Sequence, residues 1–212
     1  GGGVGTNGAT LRPKNAIAKG VNGKSSGSVS WLNDLAQLTH LVEQGGSRRG
    51  AQMIMLPDWH PDIIEFIIAK MQNPKILKFI IDTTNDELIK KVALEKLKFT
   101  PLTDDELSMY KNITNIHELN GNMFSKATVE KAYSLLKDGG FYEVNEPDFM
   151  SGANISVALT KEFMEAVEKD LIYELKFPDL DSYNKKEKAY YDEHWRNIGD
   201  VREWEKHGFK SL

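Results

Sequence analysis

Apolar residues recur along this chain with two different periods, and the points where the period changes mark its elements. From Ser30, the residues Trp31, Leu35, Leu38 and Val42 fall near 3.6-residue spacing. That spacing predicts an amphipathic helix with Ser30 as N-cap and Gly45-Gly46 as its stop. Ala51 to Leu56 is short and apolar and reads as a buried strand. Pro61 suits the first turn of a second helix, with Ile63, Phe66, Ile67 and Met71 as its buried stripe. Residues 73–137 are mostly helical and charged. Helix starts are signalled by Asn85 before Asp86-Glu87, by Thr103 with Glu106 at capping-box spacing, and by Ser125 before Ala127 to Glu130. Gly139-Gly140 ends the last of these helices. Shorter runs follow: Phe141 to Val144 is β-like, 145–153 is a polar loop, and Asn154 to Leu159 reads as a second buried strand. Thr160 caps a helix holding Phe163, Met164 and Val167, and Leu171 to Phe177 alternates like an edge strand. Strands alternating with helices predict an α/β architecture, with the strands near 51–56 and 154–159 parallel in one sheet. Trp31, Trp59, Phe163 and Met164 read as core. Tyr190, Tyr191, Trp195 and Trp204, set among charges, predict a peripheral helical lobe.

The first 29 residues show neither period. Seven glycines in the first 23 positions make this stretch one long ordered loop, a kind of segment that is more often functional than idle. Its cations, Arg12, Lys14 and Lys19, sit among glycines. A second cluster, Gln44-Gly45-Gly46-Ser47-Arg48-Arg49-Gly50, follows the predicted helix. Glycines let backbone amides approach an anion, and Arg and Lys supply the counter-charge, so two such clusters flanking a helix point to a phosphorylated ligand. Arg48-Arg49 equally suit a helix C-terminus, where cations favour the dipole.

Composition narrows the classes. Hydrophobic residues at 40% and charged residues at 27% are those of a globular domain. A net charge of −4 without a basic block argues against a nucleic-acid groove. No run approaches the roughly 18 apolar residues of a membrane span, and no signal-peptide pattern opens the chain, which makes the cytoplasm the expected compartment. Cysteine is absent, so thiol nucleophiles, thiolate metal sites and thiyl radicals cannot come from these residues. The five histidines share no metal-ligand spacing, and no metal site is expected. His60, before Pro61, reads as a turn or helix-start residue. Asp86-Glu87 and Asp104-Asp105 read as first-turn charges, not as catalytic dyads. Gly1 lies inside the phosphate-cradle pattern and Leu212 ends no polar tail, so a segment of a longer chain is expected.

The ordered motifs GGGVG, LRPK, QGG-RRGA-M, DWHPDI-EFI and ANISVALT-EFMEAVEKD resemble the large catalytic chain of ribonucleotide reductase, most closely its adenosylcobalamin-dependent (class II) branch. The resemblance covers residues 1–71 and 141–177. It implies part of a ten-stranded α/β barrel, with residues 1–72 as its first part, 73–140 as a helical insertion and 141–212 as its continuation. It further implies a ribonucleotide substrate, a dNTP effector, a homodimer, and adenosylcobalamin in the complete enzyme, whose thiyl-radical cysteines lie outside this stretch. Residues 7–24 match the family's effector loop, with Arg12 as the phosphate-binding arginine and Lys14 and Lys19 as further cations. Gly2 and Gly3 match glycines that pass close to substrate. Residues 145–153 match the second specificity loop, in which Phe149 or Met150 would touch a base, with Ser151 beside them and Gly152 supplying flexibility. A stand-alone, non-catalytic nucleotide-binding or regulatory module is the competing class. A phosphate-loop kinase is disfavoured because no G-x-x-x-x-G-K-[ST] pattern occurs.

Overall fold

A computed structural model describes residues 2–18, 23–41, 43–44, 48–121, 123–179 and 182–194. The chain is α/β and divides into two compact units, one formed by Gly1–Lys70 with Pro147–Leu212 and the other by Met71–Glu146.

The first unit is built on three strands: β1 (Val4–Asn7), β6 (Gln52–Pro57) and β9 (Asn154–Ala158), in the order β1-β6-β9. Both pairings are parallel, with Val4 opposite Gln52 and Met53 opposite Asn154. The expected parallel pairing of the two apolar strands is therefore present. The strand at β1 was not expected, because its sequence, VGTN, carries one β-branched apolar residue and reads as loop. Its ladder to β6, not its own propensity, makes it a strand. Parallel neighbours need a crossover. Helix α1 (Ser28–Leu41) lies in the first crossover, and α2 (Ile63–Ala69) opens the second. Both helices pack against Ile54 and Leu56 of β6, forming a core with Val29, Leu32, Ala36, Ile63 and Phe66. Among the described residues the parallel sheet has three strands and does not close.

Three expectations are corrected in this unit. Helix α1 has the anticipated period but buries a different face: Val29, Leu32 and Ala36 point inward, while Trp31 and Leu38 are exposed. The helix carries two apolar stripes, and periodicity does not say which one packs. Met164, expected in the core of α7 (Lys161–Glu168), is likewise exposed, and Ala166 is the buried residue there. Leu171 to Phe177 forms no strand; it is an irregular strap tied by the Lys176 amide to the Trp59 carbonyl at 2.8 Å. Helix α8 (Lys185–His194) follows, and Trp195 and Trp204 lie outside the described residues.

The second unit contains α3 (Pro74–Thr83), α4 (Glu87–Lys96), β7 (Leu97–Pro101), α5 (Asp104–Asn120), α6 (Lys126–Asp138) and β8 (Gly140–Val144). The expected Thr103–Glu106 capping box is formed, and Ser125 caps α6. Strand β7 was hidden because it follows α4 directly and is only five residues long. It pairs antiparallel with β8, Leu97 opposite Val144 and Pro101 opposite Gly140. Strand β8, expected in the barrel continuation, thus belongs to the Met71–Glu146 unit because its backbone partner is there.

Candidate functional site

The described residues between Asn7 and Gly27 include a short antiparallel hairpin. Strands β2 (Ile17–Ala18) and β3 (Gly23–Lys24) pair antiparallel, and the Asn15 amide donates to the Ser25 carbonyl at 2.9 Å. Arg12 is half-buried, and its Nη1 donates to the Ile17 carbonyl within the same hairpin. Lys14 Nζ pairs with Glu65 of α2 at 3.1 Å near the surface. Lys19 lies outside the described residues.

What fixes this hairpin is the run Asp58-Trp59-His60-Pro61-Asp62 after β6, in which Asp58, Trp59, His60 and Asp62 are all buried. The Asp62 carboxylate accepts from the Lys14 amide at 2.9 Å, the Ser28 amide at 2.8 Å and the Ser28 hydroxyl at 2.9 Å. Hydrogen bonds to a charged acceptor contribute about 1.5–3 kcal/mol each, so one carboxylate holds both ends of the hairpin. Gly27 is required between them. It has φ +96°, and a Cβ there would lie 2.9 Å from Lys14 Cβ. His60 Nε2 contacts the Leu11 carbonyl at 2.9 Å, and its Nδ1 accepts from the Asp62 amide at 3.1 Å, which fixes the neutral Nε2–H tautomer. Burial pushes the His60 pKa below its ordinary value, outweighing the opposite pull of the Leu11 carbonyl and the Asp62 charge. Asp58 serves the other side: Tyr173 donates to its Oδ1 at 3.0 Å, and the Thr160 amide and hydroxyl donate to its Oδ2. Trp59 and Phe177 pack with Ala9. His60 therefore has the structural role its sequence setting suggested.

Residues 147–153 dock along one face of α1. Asn33 Oδ1 accepts from the Met150 amide at 2.8 Å, Gln37 Nε2 donates to the Asp148 carbonyl at 3.1 Å, and His40 Nε2 meets Ser151 Oγ at 2.9 Å. A Cβ on Gly152 would lie 2.1 Å from the Ala36 carbonyl oxygen, so glycine is needed there for close approach to the helix. Met150 is fully buried and Phe149 packs on the same core. Flexibility at Gly152 and base contact by Met150, both expected, do not fit this docked arrangement, because the side chain is used as a plug.

Among the described residues, one face of the sheet is packed by helices and the other is not. Side chains alternate along a strand, and the α1/α2 side takes Thr6, Gln52, Ile54, Leu56, Ile155 and Val157. In register, the opposite side holds Gly3, Gly5, Asn7, Met53, Met55, Asn154 and Ser156. Gly2, Gly3, Asn7, Met53 and Asn154 are exposed. Gly3 lies against the Ala51 carbonyl, and the Val4 amide donates to that carbonyl at 3.0 Å. The second glycine-basic cluster folds as an antiparallel pair, β4 (Glu43–Gln44) with β5 (Arg48–Arg49), leading into Gly50 and Ala51. Gly2-Gly3 and Arg48-Arg49 thus precede the amino ends of the neighbouring parallel strands β1 and β6, whereas Arg12 and Lys14 follow the carboxyl end of β1. Asn7, Asn154 and Ser156 were not singled out in the sequence, although strand parity relative to Ile54 identifies them.

A family model described as the barrel domain of ribonucleotide reductase matches residues 1–207. The chain belongs to that family. Among curated relatives, the vitamin B12-dependent ribonucleoside-diphosphate reductase of Thermoplasma acidophilum is 44% identical over 77 residues, 36% of this chain and 10% of that protein. The enzyme of the same description from Mycobacterium tuberculosis is 40% identical over 77 residues, 36% of this chain and 11% of its own length. The ribonucleoside-diphosphate reductase subunit alpha of Chlamydia pneumoniae is 36% identical over 66 residues, 31% of this chain and 6% of that subunit. The match thus spans about a tenth of the first two relatives. The motif-based resemblance to the large chain of ribonucleotide reductase, B12-dependent branch, is borne out. Within the reductase barrel domain, the segment contributes parallel strands, the latched hairpin and the α1-docked loop. No described helix is long and apolar enough to cross a membrane.

Proposed function

We propose that this segment forms the dNTP-effector region and part of the substrate surface of a ribonucleoside-diphosphate reductase, an enzyme making deoxyribonucleotides from ribonucleotides. The uncovered sheet face carries this reading. Purely parallel sheets are normally covered on both faces, yet here one side is packed by helices and the other presents Gly3, Gly5, Asn7, Asn154 and Ser156. Such a face suits closure by further strands into the ten-stranded barrel, with substrate inside against small polar residues. Gly2 and Gly3 let the backbone approach the nucleotide. Arg12, with five donors on a planar guanidinium, shares or exchanges its Ile17 contact for effector phosphate, and Lys14 and Lys19 add positive charge. The loop 147–153 then acts by position: Ser151 and Gly152 hold it on α1, the helix that begins where the hairpin ends. The exposed stripe of Trp31, Leu38 and Leu41 on α1 suits a homodimer contact.

Adenosylcobalamin supplies the radical chemistry in enzymes of this branch. Among the described residues no group of three His, Cys, Asp or Glu could hold a metal ion, and both nitrogens of buried His60 are engaged. In this reading the cofactor and the radical cysteines are supplied by the complete enzyme.

Two substitutions in the complete reductase chain test the reading. Arg12→Ala removes a charge-assisted phosphate contact of about 1.5–3 kcal/mol. Calorimetry should show effector dNTP affinity falling about ten- to a hundredfold, with effector-free turnover retained. Asn154→Leu should raise the substrate KM and leave effector affinity unchanged. Unchanged constants for both variants would reduce the segment to a structural part of the barrel.

A further inference from the structure

The second unit contains a cavity of about 490 Å³ between α3, α6 and the start of β8, within the range typical of small-molecule sites. Leu135, Phe141 and Tyr142 give it apolar and aromatic walls, and Lys75 and Lys78 of α3 and Lys131 of α6 also line it. The lysines are not equivalent. Lys78 is committed, with its Nζ 3.0 Å from Asp82 and 5.2 Å above the Tyr142 ring, and Asp138 of the lining acts on the same ammonium. Glu130, the other lining acid, is drawn to Lys126 at 3.8 Å. Among the described residues, Lys75 and Lys131 make no ion pair. Two ammonium groups without an ion pair, on two different helices lining an apolar-sided cavity, match a dianion attached to a flat apolar body.

We propose that this cavity binds a small aromatic phosphate monoester. The phosphate sits between Lys75 and Lys131, with the Ser134 hydroxyl, three residues after Lys131 on α6, available to it. The ring lies against Leu135 and Phe141. Tyr142 is already engaged by Lys78 over its ring and by Phe99, with ring centroids 4.9 Å apart and planes tilted by 47°, so Phe141 offers the main contact. A phosphate monoester fits better than a carboxylate because its second charge meets the second lysine. The site is distinct from the hairpin around Arg12 and stands whether or not that hairpin binds an effector.

The test is an amide-resolved NMR titration of the 212-residue chain with phenyl phosphate, phenol and inorganic phosphate. Phenyl phosphate should shift the amides of Ser134, Phe141 and Tyr142 saturably, and the other two probes should bind about tenfold more weakly or less. Lys131→Glu, and separately Lys75→Glu, should weaken phenyl phosphate by about tenfold or more. Lys137→Glu, the same charge change on α6 outside the lining, should leave it unchanged. Both lining lysines are exposed, and circular dichroism checks that each variant is folded. The proposal is overturned if the shifts map elsewhere, if phenol binds as well as phenyl phosphate, or if Lys137→Glu weakens binding as much as Lys131→Glu does.

Discussion

Asp62 in the first unit and Thr103 in the second are both polar side chains that satisfy backbone amides, yet they work over very different distances in sequence. Asp62 reaches back 48 residues to the Lys14 amide, from a buried position. Thr103 reaches forward three residues to Glu106, at the surface. The contrast extends through both units. Around β6, Asp58 and Asp62 gather partners from residues 14, 28, 160 and 173. In the other unit, Asp86 caps α4, Ser125 caps α6, and Lys78 pairs with Asp82 four residues on. The hairpin is held by distant buried acceptors, while the helices of the second unit are capped by their own neighbours in sequence and only its β7–β8 ladder spans a long stretch of chain.

Substitutions can break that contrast, beginning with the largest effect. Asp62→Ala strands the Lys14 and Ser28 amides in a buried setting and should cost about 3 kcal/mol. Urea unfolding should register the loss, and hydrogen exchange should speed up at Lys14 and Ser28. Native-like protection of those two amides would show that the hairpin does not depend on the carboxylate. Gly152→Ala forces a Cβ to within 2.1 Å of the Ala36 carbonyl. Relief of that overlap should cost about 1–3 kcal/mol and expose the Met150 amide to exchange, while the protection of α5 stays constant. Thr103→Ala should cost about 1 kcal/mol and fray only the first turn of α5. A matching change in exchange at Lys14 would mean that the local rule fails.

The smallest effect near neutral pH is that of His60. Its folded pKa is depressed, so the folded chain binds this proton less readily than the unfolded chain. Its contribution is fully present above the ordinary histidine value of about 6.5 and is lost as pH falls from there toward the folded pKa. Protonation would place a hydrogen on Nδ1, against the Asp62 amide that donates to it. Unfolding free energy measured between pH 7.5 and pH 5 should fall more steeply for wild type than for His60→Gln. Parallel curves would remove His60 from the latch's pH response.

These distances also explain what could be read from residues alone. The Thr103–Glu106 box, the Ser125 and Thr160 caps and the parallel pairing of two apolar runs rest on local signals, and all are present in the structure. Strand β1 was missed because its evidence is a partner some 48 positions away. The inward face of α1 was misassigned because the choice between two apolar stripes is made by Ile54 and Leu56, not by the helix. At the candidate site, glycines and cations were legible as a pattern. The carboxylates that arrange them were not, since nothing local distinguishes Asp62 from any aspartate before a helix.

Lys70 Nζ donates to the Ala153 carbonyl, so the chain leaves the first unit and re-enters it at nearly one place. This return has a kinetic consequence. Pairing Met53 with Asn154 closes a long loop, and long-range parallel pairing is intrinsically slow. Closure entropy, however, grows only with the logarithm of loop length, about 0.6 kcal/mol per doubling. An intervening stretch whose helices are nucleated by their own caps can also become ordered before the ends meet, leaving less free chain to close. Lengthening or shortening Met71–Glu146 should thus change the folding rate of the sheet only weakly, which makes this the position in the chain where length can vary at least cost to assembly.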